Sequence, residues 1–424
     1  MLAPTPASPE SAGMSKLALD RLEDHLKRNY IDAGRFPGTQ LLVYRRGKVV
    51  HSTAQGFADV ERKVAVKDDT IFRIYSMTKP ITSVAFMMLV EEGRVAIDEP
   101  VHKYIPEWKN LGVFQAGTHP AFLTRPPSRP MLIVDLLRHT SGLTYGFQQR
   151  SNVDAAYRET RIGEVEKAGT LDTMIADLAK IPLEFSPGEA WNYSVSTDVL
   201  GYLVGKISGM PFEQFLKERI FNPLGMSDTD FFVPPSKAHR LAACYSADAN
   251  GGFNPLATGR KGGLTLQDDP ATSSFLSPPS FISGGGGLCS TTADYLTFCR
   301  ALLNGGELGG VRLLGPKTLK LMTSNHLPGG VDLPAMSRSL FSEASYNGIG
   351  FGLGFAVTMN PAQALIAGSP GEFNWGGAAT TSFFIDPAEE LITIFMTQVL
   401  PSSAYPLRRE LRTMVYAAIT DSNL

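Results

Sequence analysis

The sequence predicts an α/β body completed by both chain ends, with a mainly helical region inserted between them. Three observations predict it. Strand patterns gather near the start and near the end of the chain, helical patterns fill the middle, and the strand patterns come as hairpin pairs. The boundaries read from these patterns are 1–105 and 284–424 for the body and 106–283 for the helical region. No fixed-period repeat is visible.

The elements follow in order. Residues 17–30 carry Leu17, Leu19, Leu22 and Leu26 close to one stripe, which predicts an amphipathic helix. Residues 39–53 are apolar on both sides of Arg46-Gly47, a pattern that suits a hairpin with a tight turn. A short apolar lead over 70–74 precedes a second helix from about Ser76 to Glu92. That helix has Ile81, Val84, Ala85, Met88 and Leu89 at helical spacing, with Gly93 as its stop. Pro80 falls near its first turn, where a missing N–H costs little. In the middle, helices are expected over 132–138 and 171–179, through Val199, Leu200, Leu203, Val204 and Ile207, and over 212–220. Residues 246–280 read as a polar loop. After the glycine run 284–287, Ser290 or Thr291 can cap a helix through Tyr295, Leu296, Phe298 and Leu302, with Asp294 near its positive end. Strands over 381–386 and 391–397 form a late hairpin, and 404–419 a closing helix.

Composition narrows the function classes. The chain is 43% hydrophobic and 19% charged, as soluble globular proteins are. Its formal net charge of −2 offers no basic excess to neutralise a phosphate backbone, so nucleic acid is not an expected partner. No run of eighteen apolar residues occurs, so no membrane partner is expected. Residues 1–15 lack the basic start and apolar stretch of a signal peptide. The three cysteines, Cys244, Cys289 and Cys299, form no C-x-x-C and no even framework, and read as buried free thiols in a reducing compartment. The expected location is the cytoplasm. The seven histidines are scattered with no metal-ligand spacing, so neither a metal nor a cofactor is expected.

A serine hydroxyl is a weak nucleophile and needs a base within hydrogen-bond reach. Ser76-Met77-Thr78-Lys79 offers one, because residues i and i+3 share a helix face. The tetrapeptide alone is a weak signal, since a helix-start serine followed by a solvated lysine gives the same letters. Its setting strengthens it: the serine sits where an apolar strand ends and a helix begins, so nearby N–H groups point outward as half of an oxyanion hole. No Gly-x-Ser-x-Gly elbow exists, which removes the main support for an α/β-hydrolase.

Six stretches then carry a resemblance. In order they are Phe72-x-Ile74-x-Ser76-x-x-Lys79, Asp98-x-Pro100-Val101-x-Lys103-Tyr104-x-Pro106, Leu136-Leu137-Arg138-His139-Thr140-Ser141-Gly142-Leu143, Phe185-x-Pro187-Gly188-x-x-x-x-Tyr193-Ser194, Gly286-Gly287-Leu288-x-Ser290-Thr291-x-x-Asp294, and Asn374-Trp375-Gly376-Gly377. Over about 15–420 the chain resembles the serine β-lactamase/penicillin-binding-protein superfamily, near the class C enzymes and nearer the family VIII carboxylesterases. The resemblance implies an antiparallel sheet flanked by helices and a site in the cleft between body and helical region. It implies acyl transfer from a small carboxylic ester to Ser76, then to water, with Lys79 and Tyr193 handling protons. A nearby Lys79 ammonium would lower the Tyr193 pKa. The N–H groups of Ser76 and Ala378 would form the oxyanion hole, and Tyr75, Trp375, Gly376 and Gly377 would contact substrate.

Two positions depart from the class C pattern. Val195 stands where an amide donor is usual, and Trp375 where a lysine is. Both put recognition of a β-lactam or peptide carboxylate in doubt and favour a short, uncharged ester. A β-lactamase or D-peptidase, an acyltransferase to a small acceptor, and a non-hydrolytic member of the superfamily are the rival readings. His139 is read as structural, residues 284–287 as a tight turn near the site, Asp294 as a helix-start carboxylate, and Arg408-Arg409-Glu410 as a solvated helix face.

Overall fold

The computed structural model of the chain describes residues 6–163, 169–248, 263–338 and 346–424. At its centre is an eight-stranded antiparallel sheet. Its order is Ile349–Phe351, Ala356–Thr358, Phe373–Gly376, Ser382–Asp386, Leu391–Met396, Gly38–Arg45, Lys48–Asp59 and Val64–Ala65. The first hairpin turns on Arg46 and Gly47, at φ 47° and 84°, the left-handed pair that a two-residue turn between twisted strands needs. The Gly38–Arg45 strand then pairs with Leu391–Met396, Gln40 opposite Met396 and Arg45 opposite Leu391. Both chain ends therefore complete one sheet.

Alternation sorts the side chains of these strands to two faces. Leu41, Val43 and Phe395 face the first helix, Lys16–Leu26, and the last, Leu407–Ala417, meeting Leu19, Leu22, Leu26, Leu411 and Val415. The first helix starts at Ser15, whose hydroxyl accepts from the Ala18 N–H. Leu42, Ile392, Ile394 and Phe383 face the opposite core, which contains the helix Thr78–Glu91. Residues 78–89 of that helix are all buried, so it is enclosed on every side and central to the molecule. It packs against the helix Ser196–Ser208 and shares a core with Thr292–Leu303.

The helical middle also contains strands that periodicity did not reveal. Val113–Thr118 pairs with Ala121–Arg125, and Thr265–Asp268, within the stretch read as loop, pairs with Cys244–Ser246. Residues 249–262 of that stretch lie outside the described residues. A helix at Asn152–Glu159 and the strands Ile349–Phe351, Ala356–Thr358 and Phe373–Gly376 were likewise not expected as elements. These strands have three or four residues each, too few for alternation to register. Among the described residues no helix is long and apolar enough to cross a membrane.

Candidate active site

A strand, a strained turn and a buried helix position Ser76. Phe72–Arg73 pairs with Cys289–Ser290, and the Ile74 N–H donates to the Leu288 carbonyl. Arg73 is fully buried. Its guanidinium donates to Ser273 Oγ at 3.0 Å and pairs with Asp268 at 2.6 Å, which ties the strand to the segment beyond Thr265. Tyr75 then adopts φ 42°, a left-handed conformation that L-residues avoid and that marks stored backbone strain immediately before the serine. A single 3₁₀ turn, Tyr75–Met77, leads into Thr78–Glu91, with Pro80 in the first turn as expected. The Tyr295 hydroxyl donates to the Met77 carbonyl at 3.0 Å and holds the turn from below.

Behind Ser76, Lys79 is buried. Its Nζ lies 3.2 Å from Ser76 Oγ and donates to the Gly285 carbonyl at 2.6 Å. It also lies over the Tyr193 ring, 4.5 Å from the centroid, and 5.3 Å from the centroid of Tyr145. Burial lowers the Lys79 pKa to about 7, partly offset by the negative charge of Asp198. Tyr193 is buried between the rings of His139, Tyr145 and Trp375, with centroids at 5.0, 5.3 and 5.5 Å. Its phenol faces the Ser76 hydroxyl and the Trp375 indole N–H, both of which favour the anion, but burial outweighs them and raises its pKa above the usual tyrosine value. The expected depression by a Lys79 ammonium is therefore corrected: desolvation is the larger effect. Arg408 is the cation that acts on this phenol, weakly.

The third wall is the strand Phe373–Gly376 and the turn that follows it. Trp375 lies within the strand and packs edge-on against Phe351 at 5.3 Å. The Gly377 N–H donates to the Thr381 carbonyl at 2.8 Å and closes the turn that presents Ala378. The Arg408 guanidinium lies close over Gly376, where a Cβ would sit 2.5 Å from Nη2 and would have to displace it. Arg408 donates to the carbonyl of Gly377 at 2.9 Å and of Thr381 at 3.3 Å. The reading of residues 408–410 as a solvated face is thus corrected. Arg408 buttresses the site, and Glu410 accepts from the Tyr30 hydroxyl at 2.6 Å. Only Arg409 of the three is exposed.

Together these elements enclose a cavity of about 600 Å³, lined among others by Tyr75, Ser76, Tyr193, Trp375, Gly376 and Ala378. Gly377 lies against the Ile74 carbonyl, immediately behind this lining. A serine against a buried amine and a phenol, at the head of a helix and facing a glycine-rich turn, is the arrangement that the β-lactamase fold builds. The Beta-lactamase family model matches residues 19–417. The chain belongs to the Beta-lactamase family. As a member of that family it is a serine hydrolase. Esterase EstB of Burkholderia gladioli is 30% identical over 427 residues, covering 98% of each chain. An uncharacterised protein of Mycobacterium tuberculosis is 36% identical, covering 88% of each. Among solved structures, EstCE1, described as a hydrolase with promiscuous acyltransferase activity, superposes with a TM-score of 0.77 at 26% identity. That match covers 96% of this chain and 99% of the other.

The remaining residues singled out from the sequence have plain places in this Beta-lactamase fold. Val195 is buried in the core, its N–H donates to the Thr144 carbonyl, and its side chain is apolar. His139 is buried with Nδ1 3.2 Å from Ser194 Oγ, and desolvation holds its pKa well below the ordinary value, so it packs as a neutral ring. The glycine run is a turn at the site, as expected, and it contributes the Gly285 carbonyl. The Asp294 carboxylate accepts from the Asp228 N–H and the Thr229 hydroxyl at 2.7 and 2.9 Å. Among the described residues no cluster of three or more His, Cys, Asp or Glu side chains is placed to hold a metal ion. Tyr145 and Asp198 were not foreseen. The signal for Asp198 was a lone carboxylate in the otherwise apolar run around Val199, Leu200 and Leu203.

Proposed function

We propose that this chain is a carboxylesterase that cleaves short-chain acyl esters through an acyl-enzyme on Ser76, with Lys79 and Tyr193 as its proton-handling partners. The observation that carries the reading is the contact of Ser76 Oγ with a lysine nitrogen whose pKa is about 7, beneath an indole wall. Near neutral pH about half of such a lysine is neutral and able to accept a proton. Neutral Lys79 takes the Ser76 proton as Oγ attacks the ester carbonyl. The N–H groups of Ser76 and Ala378 receive the developing oxyanion. Tyr193, which burial keeps protonated, donates to the departing alkoxide and recovers a proton from the Lys79 ammonium. Water then repeats the sequence on the acyl-enzyme. Tyr75, Trp375, Gly376 and Gly377 are the proposed substrate contacts.

Trp375 separates this reading from a β-lactamase. An ammonium at that position would attract the carboxylate of a β-lactam, whereas an indole offers an apolar surface suited to an uncharged acyl or alkyl group. The similarity to Esterase EstB points the same way. We propose the same division of the chain as the sequence reading, with the body at 1–105 and 284–424 and the helical region at 106–283. The three buried free thiols favour a reducing, cytoplasmic setting. The test is kcat/KM for p-nitrophenyl acetate and for a cephalosporin, with peptide mapping after fluorophosphonate treatment. The expected result is a label on Ser76 and a preference for the ester. A preference for the cephalosporin would replace the esterase reading with the β-lactamase one, and a label elsewhere would remove Ser76.

A further inference from the structure

We propose that Asp198 is a positioning residue for Lys79, supplying the buried negative charge against which Lys79 becomes an ammonium when it takes the Ser76 proton. The inference rests on the reading of Lys79 as the base. In that step the Ser76 O–H bond breaks as the bond from Oγ to the acyl carbon forms. The proton goes to the Nζ lone pair, and the carbonyl π electrons go to the oxyanion. A new cation thus appears inside a desolvated pocket, where an uncompensated charge is costly.

Asp198 lies in the first turn of the helix Ser196–Ser208, and its carboxylate is buried. Its Oδ1 accepts from Ser283 Oγ at 2.6 Å and from the Gly285 N–H at 3.0 Å. Gly285 joins the two ends of the arrangement, since its N–H meets the carboxylate and its carbonyl accepts from Lys79 at 2.6 Å. No side chain fits at Gly285, because a Cβ there would be 2.6 Å from Asp198 Oδ2 and 2.9 Å from the Tyr145 hydroxyl. The charged and titratable groups around the pair come from three other segments. They are Lys79 of the Thr78–Glu91 helix, the His139 and Tyr145 side chains before and after Gly142, and Tyr193. His139 is neutral, and burial keeps both phenols protonated. Lys79 is therefore the cation whose field reaches Asp198: burial raises the Asp198 pKa and lowers the Lys79 pKa, and the charge of each works against that effect on the other. Among the described residues no Lys or Arg forms an ion pair with this carboxylate. The hydrogen bonds from Ser283 and Gly285 could be accepted by an amide oxygen. The Tyr145 hydroxyl also bonds to this carboxylate, so an asparagine would lack the charge and one of the two acceptor oxygens.

The experiment measures kcat and KM for p-nitrophenyl acetate, and the rate of fluorophosphonate labelling, as functions of pH. It compares wild type, Asp198→Asn, Asp198→Glu and Lys79→Ala, each with its melting curve. Without the carboxylate, Lys79 loses the influence that raises its pKa. The acidic limb of the Asp198→Asn profile is expected to move down by about one pH unit. Its plateau kcat is expected to fall several-fold, by up to about tenfold, with KM within about threefold, because the amine is then a weaker base. Asp198→Glu, which keeps the charge, should restore the wild-type limb. If Asp198→Asn melts below the assay temperature, Asp198→Ser takes its place with the same expected shift. A wild-type limb and kcat in the folded neutral variant would overturn the proposal. Wild-type labelling by Lys79→Ala would instead overturn the base reading beneath it.

Discussion

Gly377→Ala tests the third wall most directly, because the structure fixes what a methyl group would meet there. A Cβ at Gly377 would lie 2.2 Å from Thr381 Oγ1 and 2.4 Å from the Ile74 carbonyl oxygen. The threonine hydroxyl can rotate, but the Ile74 carbonyl belongs to the segment that delivers Tyr75 and Ser76. Neighbouring strands anchor that segment, through the Ile74 N–H to the Leu288 carbonyl. Relief must come from the 377–381 turn, which has to retreat by about 0.6–1 Å before a normal contact is reached. Ala378, whose N–H is the proposed second oxyanion donor, moves with it. A misplacement of about 1 Å at a reacting centre costs on the order of 100-fold, and a lost oxyanion donor about 100- to 1,000-fold. The expected result is a fall in kcat of about 30- to 100-fold, roughly 2–3 kcal/mol of barrier, with KM within about threefold. The assay is p-nitrophenyl acetate hydrolysis under saturating substrate, beside a thermal melt that is expected to fall by only a few degrees. A folded Gly377→Ala enzyme with kcat within threefold of wild type would refute the assignment of the second donor to this turn.

Two further outcomes follow from the proposed proton-handling groups. Because burial lowers the Lys79 pKa to about 7, its base form is lost as the pH falls through that value. kcat/KM should therefore drop about tenfold per unit below pH 7, to roughly 1% of its plateau at pH 5. A pH–rate profile that stays flat down to pH 5, or that begins to rise only near pH 9, would be incompatible with this base. Lys79→Ala and Tyr193→Phe should each lose several orders of magnitude in kcat, and the double variant little more, since members of one relay are not additive. Independent, multiplying losses in the two single variants and their combination would separate them.

Much of this arrangement was legible in the chain. The hairpin at Arg46-Gly47 showed through turn chemistry, and the strand-to-helix setting of Ser76 showed through an apolar run that ended where helical spacing began. The six ordered stretches implied the site residues, and geometry has brought Ser76, Tyr193, Trp375 and Ala378 together around one cavity, with Lys79 behind Ser76. What did not show were effects of three-dimensional environment. Nothing local marks Tyr193 as more desolvated than it is stabilised, so its pKa direction was misread. Arg408 lies in a run that looks like any charged helix start, and only the close approach of the final helix to Gly376 gives it a buttressing role. Asp198 resembles an ordinary first-turn carboxylate until Ser283 and Gly285, more than eighty residues away, fold over it.

The placement of charge around Ser76 explains how, on the proposed reading, one amine and one phenol can divide the acid and base work between them. Both are desolvated, but desolvation acts on them in opposite senses: it disfavours the cation of Lys79 and the anion of Tyr193. Each group is thereby driven towards its neutral form, which for the amine is the base and for the phenol is the acid. A lysine in place of Trp375 would work against that division. A second ammonium would favour a tyrosinate, and it would lower the Lys79 pKa further by like-charge repulsion, making that amine a poorer base. The base role would then shift towards the phenol. The indole leaves the opposed pair intact and replaces a site for anions with a surface for apolar groups. On the proposed reading, the change that turns the cleft away from charged substrates is also the change that keeps Lys79, rather than Tyr193, as the group that first accepts the serine proton.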